Sequence, residues 1–162
     1  MDYKAILIKI RRIVRSINLE SKKVQKDFGV SIPQILCLEF LKSAPNYQAT
    51  QRDIRDHLNL NSSTVTGIIG RLEKNGLLAR LPKSGDKRVT NITLTSAGDE
   101  LLKRTPDLLQ QRLAAKLKRL SEDELLKMSG ALQLLTDMLE ISDSEAADEF
   151  PVISADGIFD VE

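Results

Sequence analysis

The chain has 162 residues, of which 41% are hydrophobic and 29% charged, as expected for one soluble globular domain large enough to bury a core. Aromatic residues make up only 4%, so an aliphatic and mainly helical core is favoured over an aromatic binding platform. The single cysteine excludes an internal disulfide, and no apolar stretch approaches the ~18 residues of a membrane span. Arginines interrupt the N-terminal apolar residues, so we expect no secretory signal and a cytoplasmic protein.

The formal net charge of +1 hides an uneven distribution along the chain. Residues 142–162 contain seven carboxylates and no Lys or Arg, which leaves +8 on the first 141 residues. A basic body suggests an anionic partner such as nucleic acid, although a solvated basic surface would have the same composition. The acidic tail also carries six bulky apolar residues, more than a purely solvating segment needs. We therefore expect the tail either to restrain nucleic-acid binding by a basic body of this kind or to have no effect.

The first half of the chain has helical periodicity. Residues 2–27 predict one amphipathic helix, which Gly29 ends, with a second helix beginning near Ser31 and Pro33. A loop follows at residues 43–46, and Thr50 is placed to cap a short third helix. The apolar stripe of the first helix repeats at spacings of 4, 3 and 4 and consists of Ile6, Ile10, Ile13 and Ile17.

A fourth helix and a hairpin occupy the middle of the chain. Asn61 or Ser62 is expected to cap the helix, and Gly76 stands where a left-handed terminator belongs. The apolar period then changes from 3.6 to 2, which predicts strands over residues 77–83 and 89–94 with a polar turn at 84–87.

Two further helices complete the pattern. One starts at Thr95 with a kink expected at Pro106, and the next opens on a capping box of Ser121 and Glu124. Its apolar seam repeats at 3, 4, 3 and 4 and comprises Leu125, Met128, Leu132, Leu135 and Leu139. Both stripes are too extensive for one short chain to cover, which predicts a homodimer.

The element order predicts a mainly α fold with a small β-hairpin wing, a winged helix-turn-helix with long N- and C-terminal dimerisation helices. The expected boundaries are dimerisation helices at 1–28 and 95–141, a DNA-binding lobe at 29–94 and an acidic tail at 142–162.

The outer face of the fourth helix has an unusual composition. Its residues are short or cationic, namely Ser63, Thr66, Gly67, Gly70, Arg71 and Lys74. Two glycines inside a helix cost roughly 1 kcal/mol each relative to alanine, and a helix lying in the DNA major groove would use the space they leave. Close packing against another helix also selects glycine. The four cations of the following hairpin favour the groove: Arg80, Lys83, Lys87 and Arg88. On its own, that hairpin would be read as an ordinary solvated one.

These segments resemble the MarR family of bacterial regulators over about residues 3–141. The similarity lies in Ser31-Ile32-Pro33-Gln34, Gln51-Arg52-Asp53-Ile54, Ser62-Ser63-Thr64-Val65-Thr66, Arg71-Leu72-Glu73-Lys74-Asn75-Gly76-Leu77, Asp86-Lys87-Arg88 and Leu94-Thr95-Ser96-Ala97-Gly98. The run at residues 11–22 resembles regulators of compatible-solute genes, such as those of ectoine synthesis. The acidic tail departs from the family pattern.

The resemblance implies a homodimer whose first, fifth and sixth helices interlock and whose two winged lobes bind the halves of a palindromic operator, as a repressor. It implies that Arg88 enters the minor groove and that Asp86 stabilises the wing, with Arg71 as its partner. A small effector is expected between the lobe and the dimerisation helices. The full DNA-contacting set is Thr50, Gln51, Ser62, Ser63, Thr64, Thr66, Gly67, Arg71, Lys74, Lys83, Lys87 and Arg88.

The sequence offers little else in the way of site chemistry. Cys37 lies in an apolar run and is favoured as core filler over a redox sensor. His57 is the single histidine, and a lone histidine gives no metal site worth proposing. No activated nucleophile or phosphate-cradling loop is evident, so we expect no cofactor, no metal and no enzymatic activity. The alternative function is a helical dimeric module whose winged domain binds protein rather than DNA.

Overall fold

The computed structural model describes residues 2–82, 85 and 88–141. Within these residues the fold is mainly α with one small antiparallel sheet, which confirms the predicted class. The helices are α1 Tyr3–Phe28, α2 Ile32–Ser43, α3 Gln51–Leu58, α4 Ser62–Lys74, α5 Ser96–Arg104, α6 Leu109–Leu117 and α7 Glu122–Met138, and a 3-10 turn spans Pro45–Tyr47. The strands are β1 Gln48–Thr50, β2 Leu78–Arg80 and β3 Asn91–Leu94.

The chain divides into two compact units. The first contains Met1–Ile32 and Pro106–Glu140, and therefore α1, α6 and α7. The second includes Pro33–Thr105, with α3, α4, α5, the sheet and nearly all of α2. α5, which was predicted to be part of the dimerisation helices, belongs to the second unit by its contacts within this chain.

The second unit has an aliphatic core. α2 is buried from Gln34 to Leu38 and at Leu41, and α3 and α4 each turn an apolar stripe inward, as their 3.6-residue spacing predicts. The fully buried side chains of this unit include Ile35, Leu38, Leu41, Ile54, Leu58, Ile68, Ile69, Leu72, Leu78 and Ile92.

The sheet has three strands rather than the two of the predicted hairpin. Its order is β1-β3-β2, with Ala49 opposite Ile92 and Leu78 opposite Leu94. β1 was missed because a three-residue strand at the edge is too short to establish a two-residue period. β2 and β3 are also shorter than predicted, and β2 ends at Arg80.

The predicted kink at Pro106 is a complete break between α5 and α6. Thr105 is extended, with φ −81° and ψ 127°, because the proline ring disfavours helical backbone in the preceding residue. α6 then begins at Leu109, whose N–H donates to the Glu20 carboxylate of α1 over 2.6 Å. This bond ties two helices of the first unit together.

The predicted helix ends are largely confirmed. Thr50, Asn61, Thr95 and Ser121 each accept a backbone N–H from the first turn of the helix they cap. Gly29 and Gly76 have φ of 70°, the left-handed conformation expected where a helix stops.

Candidate nucleic-acid interface

The α4 helix is well anchored at its start. The Asn61 side-chain oxygen accepts from the N–H of Thr64 and from the hydroxyl of Ser63, both over 2.8 Å. Its inner face is buried in the core of the second unit and consists of Val65, Ile68, Ile69 and Leu72. The opposite face is held toward the exterior.

The outer face of α4 is open. Among the predicted contact residues of this helix, Ser62, Ser63, Thr66, Arg71 and Lys74 are exposed, while Thr64 and Gly67 are half-buried. The hydroxyls of Ser63 and Thr66 already donate within the chain, so their oxygens can accept from base edges, while Arg71 and Lys74 can donate to base edges and phosphates.

The surroundings of the two glycines of α4 test whether close packing against another helix explains them. Among the described residues, a Cβ added at Gly70 would meet nothing within 4 Å. At Gly67 the three atoms nearest to the added Cβ all belong to the flexible Arg71 side chain, with the nearest guanidinium nitrogen 3.4 Å away. Close helix packing within this chain therefore does not account for either glycine. The space they leave is available to an external partner.

Side-chain hydrogen bonds fix α3 against α4. The Gln51 side-chain amide donates to the Thr66 hydroxyl over 2.8 Å, and that hydroxyl donates to the carbonyl of Ser62, also over 2.8 Å. Two residues predicted on separate helices thus meet. Thr50 and Asp53 form a capping box at the start of α3, so Gln51 has a defined position.

A connection to the wing was not foreseen. Glu73 of α4 pairs with Arg80 of β2 at 3.0 Å, although Arg80 was counted among four equivalent wing cations. This ion pair joins the last turn of α4 to the first wing strand. The two residues are seven apart on different elements, so helical spacing gave no sign of it. Arg55 of α3 was not predicted to lie beside α4, yet its guanidinium donates to the Ser62 hydroxyl over 3.4 Å.

The wing tip is described only in part. Arg88 is exposed, whereas Lys83, Asp86 and Lys87 lie outside the described residues. The predicted pairing of Arg71 with Asp86 therefore stays a prediction.

The two remaining candidate residues are Cys37, which is buried, and His57, which is half-buried. The Cys37 side chain is fully buried, and burial raises the pKa of its thiol to about 12. His57 stacks on Phe40 with ring centroids 4.2 Å apart, and partial burial lowers its pKa. No cluster of potential metal ligands occurs among the described residues.

The stripes predicted for dimerisation are largely uncovered in the single chain. On α1, Ile6 and Ile13 are exposed, and Ile10 and Ile17 are half-buried. In the C-terminal stripe Leu135 is half-buried, and the exposed members are Leu125, Met128, Leu132 and Leu139, the last of which caps α7. No helix in the described part of the chain is long and apolar enough to cross a membrane.

Known proteins share this arrangement of helices and wing. The crystal structure of Sco3205 from Streptomyces coelicolor, a MarR family regulator in complex with DNA, superposes with a TM-score of 0.62 at 21% identity, covering 91% of this chain and 95% of that one. The S. aureus MepR–DNA complex superposes with a TM-score of 0.60 at 24% identity, covering 86% and 99%. At these identities the structures establish the fold.

Sequence relatives establish the family. Residues 30–90 match the profile of the MarR family. The transcriptional repressor MdtR of Bacillus subtilis (strain 168) is 24% identical over 140 residues, 86% of this chain and 89% of MdtR. The uncharacterized HTH-type transcriptional regulator YkoM of the same organism is 32% identical over 113 residues, 70% of this chain and 72% of YkoM. This chain belongs to the MarR family of transcriptional regulators.

Proposed function

We propose that the protein is a sequence-specific DNA-binding regulator in which α4 enters the major groove. The observation that carries this proposal is the composition of the outer face of α4. It has short polar side chains, two glycines that packing within the described chain does not require, and the cations Arg71 and Lys74. Thr50 and Gln51 at the start of α3 complete the contact surface, since Gln51 is bonded to Thr66. Phosphate contacts would position the helix and base contacts would give specificity.

The wing extends this surface. In the proposed complex Lys83 and Lys87 bind phosphates, and Arg88 enters the narrow minor groove, where negative potential attracts arginine. Asp86 orients the wing through Arg71, which stands on the exposed face of α4.

The protein acts in the cytoplasm as a homodimer on a palindromic operator. The exposed apolar residues of α1 and α7 support this assembly, since a second copy would remove them from water. An obligate dimer of this kind buries more than ~2,000 Å². Two-fold symmetry in the dimer requires two-fold symmetry in the DNA site. We propose repression as the outcome, because the relatives IacR of Pseudomonas putida and MdtR are named repressors.

A small molecule is proposed to control the DNA affinity. Two structural neighbours are described with small ligands: Bordetella bronchiseptica BpsR, whose DNA binding is regulated by 6-hydroxynicotinic acid, and RdhR-CbdbA1625 in a 2,4-dichlorophenol-bound form. An effector must bind one arrangement of the dimer more tightly than another to change operator affinity.

The test is binding of the full-length protein to fragments of its source genome as salt is raised. We expect protected sites with two-fold symmetry and an affinity that falls steeply with salt, because each neutralised phosphate releases a counterion. A protein that binds no fragment at low salt, but captures a protein partner through the winged lobe, would instead have the alternative function.

A further inference from the structure

One face of α1 carries a line of cations that the proposed DNA interface does not use. They are Lys4, Arg11, Arg15, Lys22 and Lys26, spaced 7, 4, 7 and 4 residues apart. At 3.6 residues per turn this spacing keeps all five within a narrow arc over roughly 33 Å of helix. We call this set the cationic stripe.

The cationic stripe is uncompensated within the described chain. All five side chains belong to exposed residues, and the one ion pair of α1 there joins Glu20 to Arg112, which are not members of the stripe. Five like charges on one helix face repel one another and raise the free energy of the folded state, so an anionic partner would stabilise the helix.

Two apolar residues border the stripe. Ile8 is 48% exposed and Leu19 is 55% exposed, and the 100° rotation per residue places both beside the cations. The dimerisation stripe of Ile6, Ile10, Ile13 and Ile17 lies about half a turn away on the same helix. Dimer formation through that stripe therefore does not explain Ile8 and Leu19.

The C-terminal tail has the complementary composition. Residues 143–162 carry seven carboxylates, no cation and six bulky apolar side chains. Acids and apolar residues are adjacent in the tail, as in Asp148-Glu149-Phe150 and Phe159-Asp160-Val161-Glu162. A tail that only neutralised the cations of the stripe would not need these apolar residues.

The connection is short enough for an intramolecular contact. α7, which leads into the tail, and α1 belong to the same compact unit. Twenty residues span up to roughly 70 Å when extended, about twice the length of the stripe. The tail can therefore reach along α1 and still have chain to spare for the connection.

We propose that residues 143–162 bind along the cationic stripe of α1 in the same chain, with tail carboxylates on the cations and tail apolar residues on Ile8 and Leu19. The contact lowers the positive potential of the body. Its consequence for DNA affinity rests on the proposed function, whereas the contact itself does not.

The contact can be measured by fluorescence quenching in the full-length chain. The sequence contains no tryptophan, so Asn18→Trp places the one tryptophan of the chain beside the stripe, and the chain without it gives the background from tyrosine. Cys37 is buried with a thiol pKa of about 12, so a thiol-reactive bimane labels an introduced Ala155→Cys selectively. We expect bimane quenching in roughly 50 mM salt that is lost in about 1 M salt, where the screening length falls to ~3 Å.

Two matched controls give the measurement its specificity. Arg11→Gln/Arg15→Gln/Lys22→Gln should abolish quenching, while Lys118→Gln/Arg119→Gln/Lys127→Gln, with the same loss of charge in the same unit, should leave it unchanged. A tryptophan at Ala97, exposed on α5, should not quench. Equal loss in both triple variants, equal quenching from Ala97→Trp, or no quenching at low salt would each overturn the proposal.

A DNA-binding assay separates tail docking from phosphate binding by the stripe. Neutralising the tail with Asp148→Asn, Glu149→Gln, Asp156→Asn and Asp160→Asn should raise DNA affinity at low salt by about threefold or more. If the stripe variant instead lowers DNA affinity and the parent shows no quenching, the stripe binds phosphates and the proposal is wrong. Quenching without any DNA binding would leave the docking supported and contradict the proposed function alone.

Discussion

The Thr95 hydroxyl donates a hydrogen bond to the carbonyl oxygen of Gly76 over 2.7 Å. The same hydroxyl accepts the N–H of Gly98 over 3.1 Å, so one side chain both satisfies the C-terminal end of α4 and caps α5. A second bond runs from the Thr95 N–H to the carbonyl of Leu77. The candidate DNA-reading helix is thus attached to the helix that leads out of its unit.

We expect Thr95→Val to destabilise the protein by about 1–2 kcal/mol, because the N-cap and the bond to Gly76 are lost together. Thr95→Ser keeps the hydroxyl and is the matched control, with a change below about 0.5 kcal/mol. Urea unfolding followed by circular dichroism measures both. Equal stability of the valine and serine variants would contradict this role for Thr95.

Two helical glycines should separate stability from function. Gly70→Ala and Gly130→Ala each add a Cβ that meets nothing within 4 Å in the described chain, so each should stabilise the fold by about 1 kcal/mol. Only Gly70→Ala should weaken DNA binding, because its methyl group occupies the outer face of α4. Unchanged DNA affinity in Gly70→Ala would argue against close approach of this face to DNA.

Gly98, unlike Gly70 and Gly130, lies where there is no room for a Cβ. A Cβ there would overlap the carbonyl oxygen of Leu77 and lie 2.7 Å from a Leu94 methyl group, so α5 would have to move away from the end of α4. We expect Gly98→Ala to cost several kcal/mol, near the upper end of single-residue effects of about 4 kcal/mol. A fully stable Gly98→Ala protein in thermal unfolding would show that this contact relaxes easily.

Arg71 and Arg88 should contribute to DNA affinity without contributing to folding. Arg71→Ala and Arg88→Ala are each expected to weaken operator binding by about 1–3 kcal/mol at fixed salt. The Arg88 effect should be greatest on A·T-rich flanks, where the minor groove is narrow. Arg104→Ala, which removes an exposed cation from the last turn of α5, is the matched control. Full affinity in both the Arg71 and Arg88 variants would contradict the recognition surface.

The dimer can be tested with two identical substitutions on one helix. Leu132 lies in the apolar seam of α7, whereas Leu126, which is 72% exposed, lies on another face of the same helix. Leu132→Glu should dissociate or unfold the dimer, and Leu126→Glu should leave the sedimentation coefficient unchanged. A stable folded monomer of the parent chain at micromolar concentration would rule out obligate dimerisation.

The sequence by itself determined the family, most of the helices and the caps of four of them. Apolar residues repeating at 3.6 positions and a hydroxyl or amide at each helix start are local signals, and the structure confirms them at Thr50, Asn61, Thr95 and Ser121. The open outer face of α4 followed from the same periodicity, since an inward stripe of Val65, Ile68 and Leu72 leaves the remaining positions outside.

Only the tertiary structure decided which distant residues meet. β1 gains its identity from pairing with β3, more than 40 residues further along the chain, and three residues alone establish no period. The bonds from Gln51 to Thr66, Glu73 to Arg80 and Thr95 to Gly76 join different elements, so spacing within one helix or strand does not reveal them. Proline lacks the N–H of a helical hydrogen bond, and this is compatible with either a kink or a break at Pro106. The bond from the Leu109 N–H to Glu20 of α1 supports the break. Local chemistry defines the elements, while long-range packing sets how their side chains combine.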